Sequence, residues 1–207
     1  AILDAATGKV GTLAAPEGGE PFGMAFSNRG VLILAQGDTL VRLEPLTGVT
    51  TRIGTLSNGI RVRSVLTFSP VDFCFYSVEA GAGPGFEATG QLVKIDAGTL
   101  VATRVGAPLG RTIRSLAFTP DGGLMALIEE PTGGEHLEEV DLTAVIQDTL
   151  PKTIPVGQTG LSPMAGLAVD RTGAVLATHR ATTSDSTLVT LAGAVPTPAL
   201  SRDYRWF

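Results

Sequence analysis

The chain has 207 residues and a formal net charge of −5, with 43% hydrophobic and 17% charged residues. That composition excludes a disordered chain, and the acidic balance argues against a nucleic-acid partner, which wants clustered positive charge. No apolar run approaches the roughly 18 residues needed to cross a bilayer as a helix, and the one cysteine, Cys74, excludes a disulfide framework within the chain.

In chain order, two phrases alternate. The first segment, "ILDAATGKVGTL" from Ile2, alternates apolar and polar residues around a Gly-containing turn. Next comes "GMAFSNRGVLILAQ" from Gly23, an apolar run, a polar turn and a second apolar run. The alternating phrase returns as "LVRLEPLTGVTTRIGTL" from Leu40, and the apolar–turn–apolar phrase as "VLTFSPVDFCFYSVE" from Val65. The pair recurs as "LVKIDAGTLVATRVGAPL" from Leu92 and "SLAFTPDGGLMALIEE" from Ser115, then as "LEEVDLTAV" from Leu137 and "GLAVDRTGAVLATHR" from Gly166. A weaker "LVTLAGAVPTPAL" from Leu188 ends the series. Phe26, Phe68, Phe118 and Val169 hold one place in the repeat, spaced by 42, 50 and 51 residues (68−26, 118−68, 169−118). The Asp/Glu…Thr-Gly pieces are tight-turn chemistry, with Gly supplying positive φ and Asp or Thr bonding back to the local backbone. Helical periodicity is almost absent. Its best candidate, Glu138 to Leu150, reads as a strand followed by an irregular loop or a short helical turn.

Each unit therefore predicts four strands in about 40 to 50 residues, the size of one propeller blade. The expected fold class is all-β: a β-propeller of about four four-stranded blades plus an N-terminal half-blade. It forms a single domain over 1–207, with units at about 2–39, 40–91, 92–136, 137–187 and 188–207. The first unit opens in mid-blade, which is expected of a fragment or of a chain whose leader or upstream region has been removed. Three organisations follow: part of a ring of six to eight blades, a small ring of four or five blades closed by the N-terminal strands, or a ring or fibre completed by further chains. An unpaired strand edge is a template for another chain. The tail "RDYRWF" contains Tyr204, Arg205, Trp206 and Phe207, residue types that anchor interfaces; the alternative is that it packs on its own blade edge.

The units, "PMAGLAVDRTGAVLAT" (163–178) above all, resemble those of the NHL-repeat and SMP-30-type bacterial secreted β-propellers. The resemblance covers nearly the whole chain and implies architecture more than activity, since such propellers serve as enzymes, binders and scaffolds. In these families one face of the ring carries the ligand. That face gathers the starts of the innermost strands and the ends of the second strands. Here it would carry Gln36, Glu79, Glu129 and His179 with Arg63 and Arg114, and Arg61 and Arg111 lie just upstream. Such a mouth of mixed charge suits a small polar ligand, because Arg grips carboxylate or phosphate as a fork. Alternatively these groups satisfy one another, Arg63 and Arg114 pairing with Glu79 and Glu129.

SMP-30-type lactonases hold a divalent cation on this face. "PEGGEPF" (16–22) only faintly echoes their early Glu-Gly-Pro signature, and the later ligands have no match, so neither a metal nor another cofactor is expected. There is no Gly-x-Ser-x-Gly elbow. Cys74 reads as a buried, inert thiol pointing away from Phe73 and Phe75. His136 reads as a solvated loop residue, and the glycine run of 79–90 as a loop between strands. With low Lys and abundant Gly, Thr and Ala, the chain reads as a non-catalytic, extracellular or periplasmic bacterial propeller acting as a binding or self-assembly module. Its partner would be another protein or a second copy. The alternatives are a metal-dependent lactonase- or lyase-type enzyme and a fragment of a larger sensor or receptor propeller.

Overall fold

The structure, a computed structural model, describes residues 2–3, 10–11, 23–81, 88–129, 134–150, 152–159, 164–170, 172–180 and 186–191. Strands β1 (Ile2–Leu3) and β2 (Val10–Gly11) form a two-stranded hairpin. Four antiparallel sheets follow, each an uninterrupted meander. Blade 1 is β3 (Gly23–Phe26), β4 (Leu32–Gln36), β5 (Thr39–Leu43) and β6 (Thr50–Thr55). Blade 2 is β7 (Val62–Phe68), β8 (Cys74–Ala80), β9 (Ala88–Asp96) and β10 (Ala102–Val105). Blade 3 is β11 (Thr112–Phe118), β12 (Leu124–Glu129), β13 (Glu135–Val140) and β14 (Thr153–Gln158). Blade 4 has three strands among the described residues: β15 (Met164–Val169), β16 (Val175–Arg180) and β17 (Ser186–Thr190). The chain is thus all-β, with its sheets arranged as the blades of a propeller.

The first strands of successive blades lie side by side, β3 against β7, β7 against β11 and β11 against β15. Gly23 permits the first of these approaches: a Cβ there would sit 2.5 Å from the Leu66 nitrogen and the Val65 carbonyl carbon. Side-chain hydroxyls stitch the next two, with the Phe118 N–H donating to Thr67 Oγ1 (3.3 Å) and the Leu167 N–H to Ser115 Oγ (2.9 Å).

Strand alternation sends successive side chains to opposite faces, and here each face meets a neighbouring blade. Ile33, Ala35 and Leu40 of blade 1 pack with Leu66, Phe75, Val93 and Ile95 of blade 2. The other face of blade 2, with Cys74, Tyr76, Val78 and Leu92, packs with Leu116, Leu124, Ala126 and Ile128 of blade 3. Met125, Leu127 and Leu137 on the far face of blade 3 meet Val175 and Ala177 of blade 4. Cys74 and Phe75 accordingly lie in different interblade cores, and burial pushes the Cys74 thiol above its ordinary range. The Tyr76 ring meets Phe118 of the next blade edge-on, with centroids 5.1 Å apart.

The turns obey the predicted chemistry. After β9, the Asp96 carboxylate accepts the Gly98 and Thr99 N–H groups (3.0 and 2.7 Å). After β15, Asp170 accepts those of Thr172 and Ala174 (2.7 and 2.9 Å). Both carboxyls are held below the usual carboxylate range by these bonds and by the hydroxyls of Thr99 and Thr172. After β13 the chain forms a short helix, α1 (Leu142–Gln147). Asp141 caps it, accepting the Thr143 and Ala144 N–H groups (2.9 and 3.0 Å). His136 is corrected by the structure: it lies half-buried within β13, opposite Ile128 and Gln158, because that strand begins at Glu135, earlier than the Gly-Gly of 133–134 suggests.

Candidate functional site

Each second strand ends at the same end of its blade, at Gln36 in β4, at Glu79 near the end of β8, at Glu129 in β12 and near His179 in β16. Between blades 3 and 4 this end holds a cluster of charge. Glu129 is opposite Thr112 of β11 and Glu135 of β13, and His179 is opposite Met164 of β15. Glu135, which the sequence reading did not single out, lies at its centre. Its carboxylate is buried and accepts the Met164 N–H at 2.6 Å, a charge-assisted bond from blade 3 to the first strand of blade 4. Its carbonyl accepts the Thr159 N–H and hydroxyl (3.2 and 3.1 Å).

Burial pushes the Glu135 carboxyl above the usual glutamate range. The Met164 N–H, Arg114 and His179 pull it down, and Glu129 pushes it up. Those four influences are the cluster. Arg114 contacts Glu129 at 2.7 Å, with both side chains part-exposed; a pair in that setting contributes little to stability. The Glu135–Met164 bond thus clasps blade 3 to blade 4, with one buried carboxylate and Arg114, Glu129 and His179 part-exposed near it.

The sign of its pH dependence follows. The folded state holds its Glu135 proton to higher pH than the unfolded chain does, so the contribution is complete below about pH 4.3 and is lost as pH rises through the folded value. The Glu139 carboxyl, raised by burial and then by Asp121 and Asp141, acts in the same sense. A comparison of wild type with Glu135→Gln, whose amide oxygen can still accept the Met164 N–H, isolates the clasp. In chemical denaturation from about pH 4 to about pH 7, wild type should lose more stability than the variant. Parallel curves would remove Glu135 from the pH response.

The remaining candidates are placed as follows. Glu79 is taken by Arg104 of the same blade. Its two carboxylate oxygens take Nε and Nη2 of Arg104, both at 2.6 Å, a fork reaching from β10 across β9. The backbone of Arg63 is opposite Val78, and its side chain lies outside what the structure describes. Gln36 stands opposite Thr39 in blade 1. Arg111 reaches to a further unpredicted partner, Glu138 of β13. The Glu138 side chain is 3% exposed, and its two oxygens lie 2.7 and 2.8 Å from Nη1. The tail with Tyr204, Arg205, Trp206 and Phe207, and "PEGGEPF", lie outside the described residues. Among the described residues, no three His, Cys, Asp or Glu side chains are grouped to hold a metal ion, and no buried side-chain nitrogen or oxygen lacks a hydrogen-bond partner.

The signal for Glu138 was present in the repeat. In the aligned third strands "LVRLE", "LVKID" and "LEEVD", it takes the place of Val41 and Val93, both buried. No comparable signal exists for Glu135 or Arg104, whose partners are set by register and by the approach of a neighbouring blade.

No family model matches the chain, and no curated protein matches it. Solved structures do. A PQQ-bound aldose sugar dehydrogenase from Streptomyces coelicolor is 18% identical, with a TM-score of 0.57 over 88% of this chain and 63% of that one. A putative gluconolactonase is 17% identical, with a TM-score of 0.51 over 83% and 60%. A chain of a nidogen/laminin complex is 13% identical, with a TM-score of 0.56 over 84% and 62%. The chain thus spans less than two thirds of each of these neighbours. No helix among the described residues is long and apolar enough to cross a membrane. At such identities the likeness carries the fold alone, and in fold this chain is a β-propeller, built from blades like those of the gluconolactonase-type proteins.

Proposed function

We propose that the chain is a non-catalytic β-propeller module, extracellular or periplasmic, that acts by binding a protein surface. The observation behind this reading is a pair of apolar side chains left open on the first strand of blade 1, beside the buried Leu32, Leu34, Val41 and Leu43 of the same face. Met24 and Phe26 are each 60% exposed. In the other blades the equivalent positions are Leu66 and Phe68, Leu116 and Phe118, and Leu167 and Val169, and all of these pack on the preceding blade. Large apolar side chains side by side in water mark contact surfaces. The mutual pairing of Arg104 with Glu79, Arg111 with Glu138 and Arg114 with Glu129 points the same way, since charges already committed to one another are poor candidates for binding a small ligand.

Methionine oxidation tests the reading. The chain has three methionines, and Met125 and Met164 are 0% and 3% exposed, so Met24 is the natural reporter. In dilute purified protein, hydroxyl-radical footprinting should oxidise Met24 far faster than the other two. In an extract of its native cells or their medium, Met24 should be protected several-fold. Equal oxidation of Met24 in both settings would sink the binding role for this face.

A further inference from the structure

Among the described residues, four that are not glycine have positive φ: Asn58, Phe73, Leu100 and Asp148. Asn58 and Asp148 have the short polar side chains that tolerate this conformation. Leu100 turns its side chain into the core between blades 1 and 2, against Gly54. Phe73 does neither: its φ is +57° and it is 54% exposed. The turn between the first two strands of each blade is closed by the N–H of Ser27, Ser69, Thr119 or Asp170 on the carbonyl of Val31, Cys74, Gly123 or Ala174. The residue before that carbonyl is Gly30, Gly122 or Gly173 in blades 1, 3 and 4, with φ of +69°, +92° and +87°. Blade 2 puts an aromatic ring where these blades have glycine, and a bulky residue is strained there.

The turn holds that ring firmly. Asp72 accepts the Cys74 N–H on Oδ1 (3.3 Å), and the Tyr76 hydroxyl and Lys94 Nζ on Oδ2 (2.9 and 2.7 Å). Ser69 Oγ accepts the Val71 and Asp72 N–H groups (3.3 and 3.4 Å). Val71, 44% exposed, lies over Gly122 of blade 3 and leaves no room there for a Cβ. Val71 and Phe73 are thus a preorganised apolar tip on blade 2, a blade with a neighbour on either side. Strain of this kind persists where the surroundings impose it, and it gathers at binding sites.

The charge beside the tip is negative. Asp121 is exposed next to Gly122, and Asp121 and Asp141 are close enough to Glu139 to raise its carboxyl. Lys94, the cation of the turn, is committed to Asp72. We propose that the Val71/Phe73 tip, with Asp121 beside it, docks a protein segment that carries an apolar side chain flanked by Lys or Arg. The apolar group packs on the Phe73 ring, and the cations face Asp121 and Glu139. This surface is separate from Met24 and Phe26 and does not depend on the reading of blade 1.

The probe is a random peptide library displayed on phage, depleted on Phe73→Gly and then selected on wild type. Sequences with an apolar residue next to Lys or Arg should be enriched. As labelled peptides in fluorescence anisotropy, they should bind Phe73→Gly about tenfold more weakly and Asp121→Asn several-fold more weakly, and added salt should weaken them further. Phe73→Gly should keep or raise the thermal midpoint, because glycine relieves the left-handed backbone. A midpoint well below wild type would make the ring a cover for Phe68, whose ring centroid is 6.5 Å away, and would overturn the proposal. No enrichment, enrichment of acidic peptides, or binding indifferent to both Asp121→Asn and salt would overturn it as well.

Discussion

Replacing Arg111 by alanine should destabilise the protein by about 3 kcal/mol. The reason lies in what is left behind. Glu138 faces blade 2 from β13 with its side chain 3% exposed, and both of its oxygens lie within 2.8 Å of the Arg111 guanidinium. Without Arg111, folding must either bury an unpaired carboxylate or protonate it. Arg111 is itself about one-third exposed, which lets some water reach the pair and keeps the expected loss at the lower end of the range for buried pairs. The control is to remove both charges. Blades 1 and 2 carry Val41 and Val93 at the Glu138 position, so Glu138→Val combined with Arg111→Met should recover most of the loss. Urea denaturation of the single and double variants decides between the outcomes. If Arg111→Ala costs no more than an exposed arginine elsewhere, such as Arg114→Ala, the buried pair contributes nothing of consequence.

This pair also marks how far the sequence could be read. The strand order of blades 1 to 3 was legible because each unit repeats one physical pattern: apolar residues two apart, then Asp or Glu with Thr and Gly where the chain must reverse. The helix α1 was half legible. Asp141 is an N-cap by type, but six residues of helix are too few to show a period. The site was legible only as a location. Alternation placed Glu129 and His179 at the same end of their blades, and Arg114 does pair with Glu129. It could not foresee that Glu79 would be taken by Arg104, two strands away, because that fork depends on the register of β9 against both neighbours. Nor could it foresee Glu135, whose partner is a backbone N–H 29 residues further on, in another blade. The exposure of single apolar positions was invisible for a different reason. Met24 and Leu188 follow the same apolar pattern as their buried equivalents, and only packing distinguishes a covered position from an uncovered one.

The other large effect is expected at Gly106, just beyond the end of β10. Its φ is +53°, a conformation that costs a side chain about 1 kcal/mol or more. The greater obstacle is steric. A Cβ would lie 1.8 Å from the Val145 carbonyl oxygen and 2.9 Å from the Ile146 Cα, both in the backbone of α1. That helix cannot withdraw freely, because Val145 is fully buried in the core between blades 2 and 3, and its carbonyl accepts the Ala107 N–H at 3.3 Å. The strand side is held as well: Gln91 Nε2 donates to the carbonyls of Leu92, Val105 and Gly106 at 3.0, 3.1 and 3.3 Å. Gly106→Ala should therefore cost about 3 kcal/mol or more, by lifting α1 from its seat and opening space around Val145. Gly30→Ala is the matched comparison. Gly30 has a φ of +69° and nothing within 4 Å of the added methyl, so it carries the backbone cost alone, about 1 kcal/mol. The difference between the two variants in thermal or urea denaturation measures how firmly α1 locks blade 3 onto blade 2. Equal losses would mean that the helix is not seated there, and that the contact between these blades depends on their strands alone.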